Sequence, residues 1–136
     1  MPSSVELVCV DPARVHEFWP LARSYIRTAI ERTDLCAFAD IERDVLAGQQ
    51  LLWLAWSGTL EAAATTHLVK TAERPVLIVT ACSGAQRERW LPLLAGIENY
   101  ARAEGCSRAR IYGRKGWERA LNGYRARHVV LTKELS

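Results

Sequence analysis

The hydrophobic positions along this chain change period several times, and each change marks an expected element. Residues 5–10 read as a first strand, ended by Asp11-Pro12. Aspartate as an N-cap, followed by proline at the first helical position, starts a helix well, because proline has no amide donor to waste there. Val15, Phe18, Trp19, Ala22, Ile26, Ala29 and Ile30 then recur in steps of three and four, which gives one buried helical stripe. Pro20 lies inside that stripe and is expected to kink the helix, since its ring displaces the bond to the His16 carbonyl. A second helix is expected over 41–47, with Asp40 as its cap and Gly48 as its stop.

The period then shortens. Residues 51–56 are a continuous apolar run, as in a strand covered on both faces. Ser57-Gly58 turns the chain back into a strand over 60–70 whose Ala62-Ala63-Ala64-Thr65-Thr66 stretch is nearly all small. Close helix packing explains such a stretch, and so does a bound ligand. A third apolar strand follows over 76–81. A long helix carries Trp90, Leu93, Leu94, Ile97 and Ala101 on one face and stops at Gly105. Pro92 restricts its regular start to about 88–91, because proline is harmless only in the first turn. A short strand over 109–112, a short helix around Trp117, Ala120 and Leu121, and a closing strand over 128–133 complete the chain. The expected class is α/β (α+β), a mixed sheet flanked by helices in the order β-α-α-β-β-β-α-β-α-β, forming one domain over 1–136.

Composition narrows the function classes. The 136 residues are 49% hydrophobic and 24% charged, an ordinary globular balance. No apolar run approaches membrane-spanning length, and Met1-Pro2-Ser3-Ser4 does not begin a signal peptide, so a cytoplasmic location without membrane contact is expected. Cys9, Cys36, Cys82 and Cys106 are scattered with no C-x-x-C pair, which points to reduced, mostly buried thiols. His16, His67 and His128 are too far apart for a local metal site, and no metal is expected. The formal charge of +3 is too mild for a nucleic-acid binder. Arginines do crowd the last third, where Arg102, Arg108, Arg110, Arg114, Lys115, Arg119, Arg125 and Arg127 alternate with Glu98, Glu104 and Glu118. That segment reads as a solvated surface or as an anion site for phosphates.

The element order resembles that of the GNAT (GCN5-related N-acetyltransferase) fold family over essentially the whole chain. The carboxy-terminal half carries the likeness best. Residues 97–106 followed by a short strand are similar to the family's central helix and its exit, and Ala120-Leu121-Asn122-Gly123-Tyr124-Arg125 is similar to its glycine-aromatic ending. The resemblance implies acetyl-CoA or CoA as cofactor, held where the fourth strand splays from the fifth. Backbone groups of Val79, Thr80 and Ala81 would then hold the pantetheine arm. A loop of Ser83, Gly84, Ala85, Gln86, Arg87 and Arg89 would cradle the diphosphate. The family's Q/R-x-x-G-x-G/A loop is not matched there, since only Gly84 remains, and Arg87 or Arg89 is expected to supply compensating charge.

The family's general acid is a tyrosine just before the glycine-aromatic pair, and residues 117–122 contain none. Tyr124 occupies the aromatic position, which is usually packing. By position Glu61 is the candidate general base and Cys82 a substitute acid. Trp117, between Gly113-Arg114-Lys115-Gly116 and Ala120-Leu121, reads as core or as part of an anion clamp. Two functions follow from the resemblance. One is an acyl-CoA-dependent N-acyltransferase acting on a small amine or a protein amine. The other is a non-catalytic GNAT-fold module with protein partners, similar to short bacteriophage proteins of this fold, some of which are virion components.

Overall fold

The computed structural model describes residues 4–114 and 116–135. The amino-terminal tripeptide and Lys115, both used in the reading above, lie outside the described residues.

Five strands are made by the runs that predicted them. β1 (Glu6–Cys9), β2 (Leu51–Trp56), β3 (Leu60–Val69), β4 (Val76–Gly84) and β5 (Arg108–Ile111) form one sheet in the spatial order β1-β2-β3-β4-β5. The first four pair antiparallel and β5 joins β4 in parallel. A parallel neighbour needs a crossover, and the helical segment between β4 and β5 supplies it. β4 is thus interior, as expected for the 76–81 strand, but it runs on to Gly84.

α1 (Val15–Thr33) and α2 (Phe38–Leu46) cover one face of the sheet, where Ala22, Ile26 and Val45 meet Leu52, Leu54, Ala63 and Ala81. The segment before α1 is a single 3₁₀ turn, Pro12–Arg14, and Asp11 caps it by accepting the Ala13 amide at 2.9 Å. Pro20 stands within α1, and the helix continues through it. α2 begins three residues earlier than Asp40 predicted. Phe38 stacks on Trp19 at 6.2 Å, so packing draws the first turn forward, and Asp40 becomes a first-turn acid facing the positive end of the helix.

The other face is covered by an interrupted helix. α3 (Arg87–Trp90) gives way at Pro92 to a 3₁₀ turn, Leu91–Leu93, before α4 (Leu94–Ala103) resumes. The regular helix therefore starts at Leu94 and not at the expected 88–91, because a helix begun earlier must pass Pro92, which lacks the donor a continuous helix needs there. Trp90, Ile97 and Ala101 are buried against Trp53, Ala55, Ala62, Ala64, Leu77 and Val79. The small residues of β3 are therefore covered from both sides, by α1 over Ala63 and by Trp90 over Ala62.

Two expectations fail. The closing strand over 128–133 does not form: beyond α5 (Trp117–Ala120) the described chain has neither helix nor strand. Val129, Val130 and Leu131 are 77%, 67% and 90% exposed. β propensity expresses itself only against a pairing strand. Here Tyr124 is bonded to Glu98 of α4 and the Ala126 amide to Glu118 of α5, so the segment is tied to helices before it reaches a strand edge. The thiols are also less buried than expected: Cys106 is buried, Cys36 and Cys82 are half-buried, and Cys9 on the edge strand β1 is exposed.

The tightest approach in the sheet is at Gly84. A Cβ placed there would lie 2.4 Å from the Ala62 Cβ and 2.4 Å from the Glu61 carbonyl oxygen. Backbone cannot step aside as a flexible side chain can. Gly84→Ala is expected to destabilise the fold by about 1–3 kcal/mol, the usual range for overpacking, as read from urea denaturation. An unchanged midpoint would show that the end of β4 is not held against β3.

Candidate functional site

The geometry of the site begins with a mismatch in strand length. β4 has nine residues and β5 four. Their ladder runs from Val76 opposite Arg108 to Val79 opposite Ile111, and the Tyr112 amide adds a last bond to the Val79 carbonyl at 3.0 Å. From Thr80 to Gly84 the strand keeps its pairing with β3 while β5 no longer accompanies it. Thr80 is also an extra residue in the β3–β4 ladder, since Thr65 pairs with Ala81 and Thr66 with Val79. Such bulges re-aim a strand, and this one falls where the partner strand leaves.

The bulge is pinned by a buried polar chain. The Thr65 and Thr80 hydroxyls lie 2.7 Å apart, Thr80 donates to the Gln50 side-chain oxygen at 2.7 Å, and the Gln50 amide donates to Asp44 at 3.3 Å. Farther along, the Ser83 hydroxyl donates to the Tyr25 carbonyl of α1 at 2.5 Å. Among the described residues no buried side-chain polar atom lacks a partner.

Two spaces flank this stretch. On the α4 face lies an apolar crevice of about 40 Å³, lined among others by Trp53, Val79, Cys82, Trp90, Ile111 and Trp117. Trp90 and Trp117 close one side with ring centroids 6.1 Å apart, and the Trp90 indole donates to the Ala85 carbonyl at 2.8 Å. On the α1 face lies an open polar groove of about 330 Å³. Ser24, Tyr25, Thr28 and Arg32 of α1 form one wall, and Ser83, Gly84 and Ala85 form the other.

The chemical residues expected from sequence are placed as follows. Val79, Thr80, Ala81, Cys82 and Ser83 all lie on β4 around the point of separation. Gly84 ends the strand, Ala85 donates its amide to the Glu61 carbonyl, and Gln86 takes a left-handed conformation (φ 49°) that turns the chain into α3. Arg87 sits over the Trp117 ring at 5.9 Å. Arg89 grips Glu61 with two bonds, at 2.6 and 2.8 Å, and the two side chains are only 24% and 14% exposed.

These contacts decide what each group can do. The Arg89 guanidinium, with the Ser57 side chain, holds the Glu61 carboxyl down to about 2, so at neutral pH it is a firmly ionised partner and a weak base. Burial pushes the Cys82 thiol up to about 12, which keeps it protonated and makes it a poor donor to another thiolate. Burial, and then the bond to Glu98, raise Tyr124 above the usual phenol range. Among the described residues no three His, Cys, Asp or Glu side chains are grouped to hold a metal, and no helix is long and apolar enough to cross a membrane.

Sequence reasoning missed the α1 wall. Ser24, Thr28 and Arg32 recur every four residues beside the apolar stripe, and this polar line was the available signal.

Glu61 also carries a pH signature. A carboxyl whose folded value is lowered contributes stability above its unfolded value, near 4.5, and that contribution is lost as pH falls through about 2. Glu61→Gln should therefore flatten the decline in urea midpoint between about pH 5 and about pH 2.5. Parallel declines in wild type and variant would show that the ion pair does not persist in solution.

No protein-family profile matches the chain, and no curated protein sequence does. Solved structures match over nearly its full length. An aminoglycoside acetyltransferase from an uncultured soil metagenomic sample, in complex with sisomicin, superposes with a TM-score of 0.71 at 10% identity, covering 96% of this chain and 95% of that one. A ribosomal-protein-alanine N-acetyltransferase from Brucella melitensis biovar Abortus 2308 gives 0.68 at 14% identity, covering 98% and 100%. An aminoglycoside N-acetyltransferase in complex with CoA gives 0.65 at 14% identity, covering 100% and 98%. With this strand order and these likenesses, the chain has the GNAT fold.

Proposed function

We propose that this chain is an N-acyltransferase that takes its acyl group from acetyl-CoA or a related CoA thioester. The observation that carries the reading is the unaccompanied edge of β4 beyond Val79. A pantetheine arm is an extended chain with two amides, and a strand edge released from its neighbour offers donors and acceptors at the matching spacing. The apolar crevice beside Val79 and Cys82 suits a thioester, and the polar groove beyond Ser83 suits charged parts of the same molecule. The structural neighbours that act on amines, and the one that holds CoA, support the same reading.

The CoA thioester supplies an activated acyl group. The chain's own part is to bind and orient. Backbone groups of Val79, Thr80 and Ala81 would hold the arm, the pinned bulge at Thr80 would fix the thioester against strand amides that polarise its carbonyl, and Arg87 would add charge near the loop of Ser83 to Gln86. The acceptor is an amine, small or borne by a protein. Proton delivery is the weak part. Glu61 is engaged by Arg89, Tyr124 by Glu98, and Cys82 is a poor acid, so leaving-group protonation falls to solvent. General acid catalysis typically contributes about 10²- to 10⁴-fold, and turnover should be slower by that order.

A second reading, a non-catalytic module for binding or assembly with a protein partner, is favoured by the engagement of Glu61 and Tyr124 and the burial of Cys82. The two separate in one pair of measurements. Calorimetric titration with acetyl-CoA, CoA and ATP should give binding for the first two and none for ATP. Thiol release from acetyl-CoA over a panel of amines, polyamines and lysine peptides should be slow but measurable. Binding without any release favours the module, and absence of both binding and release sinks the acyltransferase.

A further inference from the structure

The groove between α1 and the end of β4 has a charge that the loop alone does not explain. Of the two cations that follow β4 on α3, Arg89 is committed to Glu61 and Arg87 leans on the Trp117 ring. The opposite wall carries Arg32. Among the described residues no carboxylate pairs with Arg32, and it is the one charged residue lining the groove. Thr28 and Ser24 stand one and two turns before it on the same line of α1, which gives two hydroxyls and a guanidinium along a single edge. Glu31 and Asp34 flank Arg32 in sequence but do not line the groove.

The groove belongs to an anion for three reasons. Its walls contain no acid, so it does not suit a polycation. Its volume of about 330 Å³ exceeds what a few ordered waters need. Its sheet-side wall is Ser83, Gly84 and Ala85, directly after the unaccompanied part of β4, so an extended molecule lying on that edge delivers its next segment here. One effect opposes an anion. Arg32 lies in the last turn of α1, where the carbonyl end of the helix carries about half a negative charge. A full guanidinium charge outweighs that, and without Arg32 the end of α1 would repel a phosphate.

We propose that Arg32, with the Ser24 and Thr28 hydroxyls, clamps the diphosphate of the CoA-type cofactor from the α1 side. The assignment rests on the CoA reading above. It adds a second wall to the segment from Ser83 at the end of β4 to Arg89 of α3, built from a helix that carries no glycine-rich signature, and it explains how a segment with one glycine can face a diphosphate. The chemistry is that of any diphosphate or phosphate ester, so the test separates the cofactor from a phosphorylated acceptor.

The experiment is calorimetry of CoA, pantetheine and inorganic pyrophosphate with wild type, Arg32→Gln, Arg32→Lys and the control Arg27→Gln, whose side chain lies over Phe38 at 4.4 Å. Arg32 is exposed, and melting temperatures would confirm that the variants are folded. CoA affinity should fall about tenfold or more in Arg32→Gln, as for a charge-assisted hydrogen bond to an ionised group, and recover in part in Arg32→Lys. Pantetheine, which lacks the diphosphate, should bind all four proteins alike. CoA binding that is unchanged in Arg32→Gln overturns this assignment and leaves the CoA reading standing. Pyrophosphate binding that needs Arg32 but is not displaced by CoA overturns it in favour of a phosphorylated acceptor. Wild type that binds neither CoA nor pantetheine removes the CoA reading, and this assignment with it.

Discussion

The candidate site in this molecule depends on β4 having two unequal edges. Along β3 it is paired for its whole length, while along β5 it is paired only as far as Val79. An unpaired strand edge inside a protein is normally a liability, because its amides and carbonyls seek partners. Here the strand cannot collapse toward β5, because its other contacts already fix it. The bulge at Thr80 is tied to Thr65 and Gln50, Ser83 is tied to α1, and Gly84 lies too close to Ala62 for even a methyl group. A buried, fully satisfied polar chain of this kind rigidifies the segment it passes through. The open edge is thus a consequence of how firmly the opposite edge is held.

The same economy applies to charge. Side chains that could move protons are engaged with one another: Glu61 with Arg89, and Tyr124 with Glu98. Each pair also does structural work. The Glu61–Arg89 bridge joins the start of β3 to α3, the first part of the crossover, and the Tyr124 bond holds the carboxy-terminal segment on α4. A group that stabilises the fold by being ionised is by that fact a poor base, since protonating it costs what the ion pair contributes. What remains near the open edge is mostly backbone, two tryptophan rings and a polar groove. Those suit binding and orientation better than proton transfer.

Legibility in the sequence follows from how local each determinant is. β2 and β4 were readable because continuous apolar runs bounded by turn residues have few alternatives, and α1 because seven apolar residues keep helical spacing over sixteen positions. At Pro92 only the constraint was readable: a regular start was expected at about 88–91, whereas the chain makes a short helix, a 3₁₀ turn and then the regular helix from Leu94. The start of α2 was misread because a stacking contact between Trp19 and Phe38, remote in sequence, outweighed a local cap. The expected closing strand was misread because Val129, Val130 and Leu131 have the residue types of a strand but no ladder to join. At the site, Glu61 and Arg89 were each visible as candidates, yet their pairing spans a separation of 28 residues and is a property of the fold. Their mutual neutralisation could not be inferred from either alone.

The groove illustrates the limit most clearly. A nineteen-residue helix shows one face to the core, and sequence reading stops at that face because burial fixes it. The next line around the helix, Ser24, Thr28 and Arg32, has the same periodicity and would ordinarily be solvated surface. It becomes a wall because α1 lies across β3 and β4 with that line toward the end of the longer strand. Had β4 ended with β5 at Val79, the same three residues would face open solvent. The strand's extra length, set by pairing with β3, therefore creates both the free edge beyond Val79 and one wall of the groove that Ser24, Thr28 and Arg32 face.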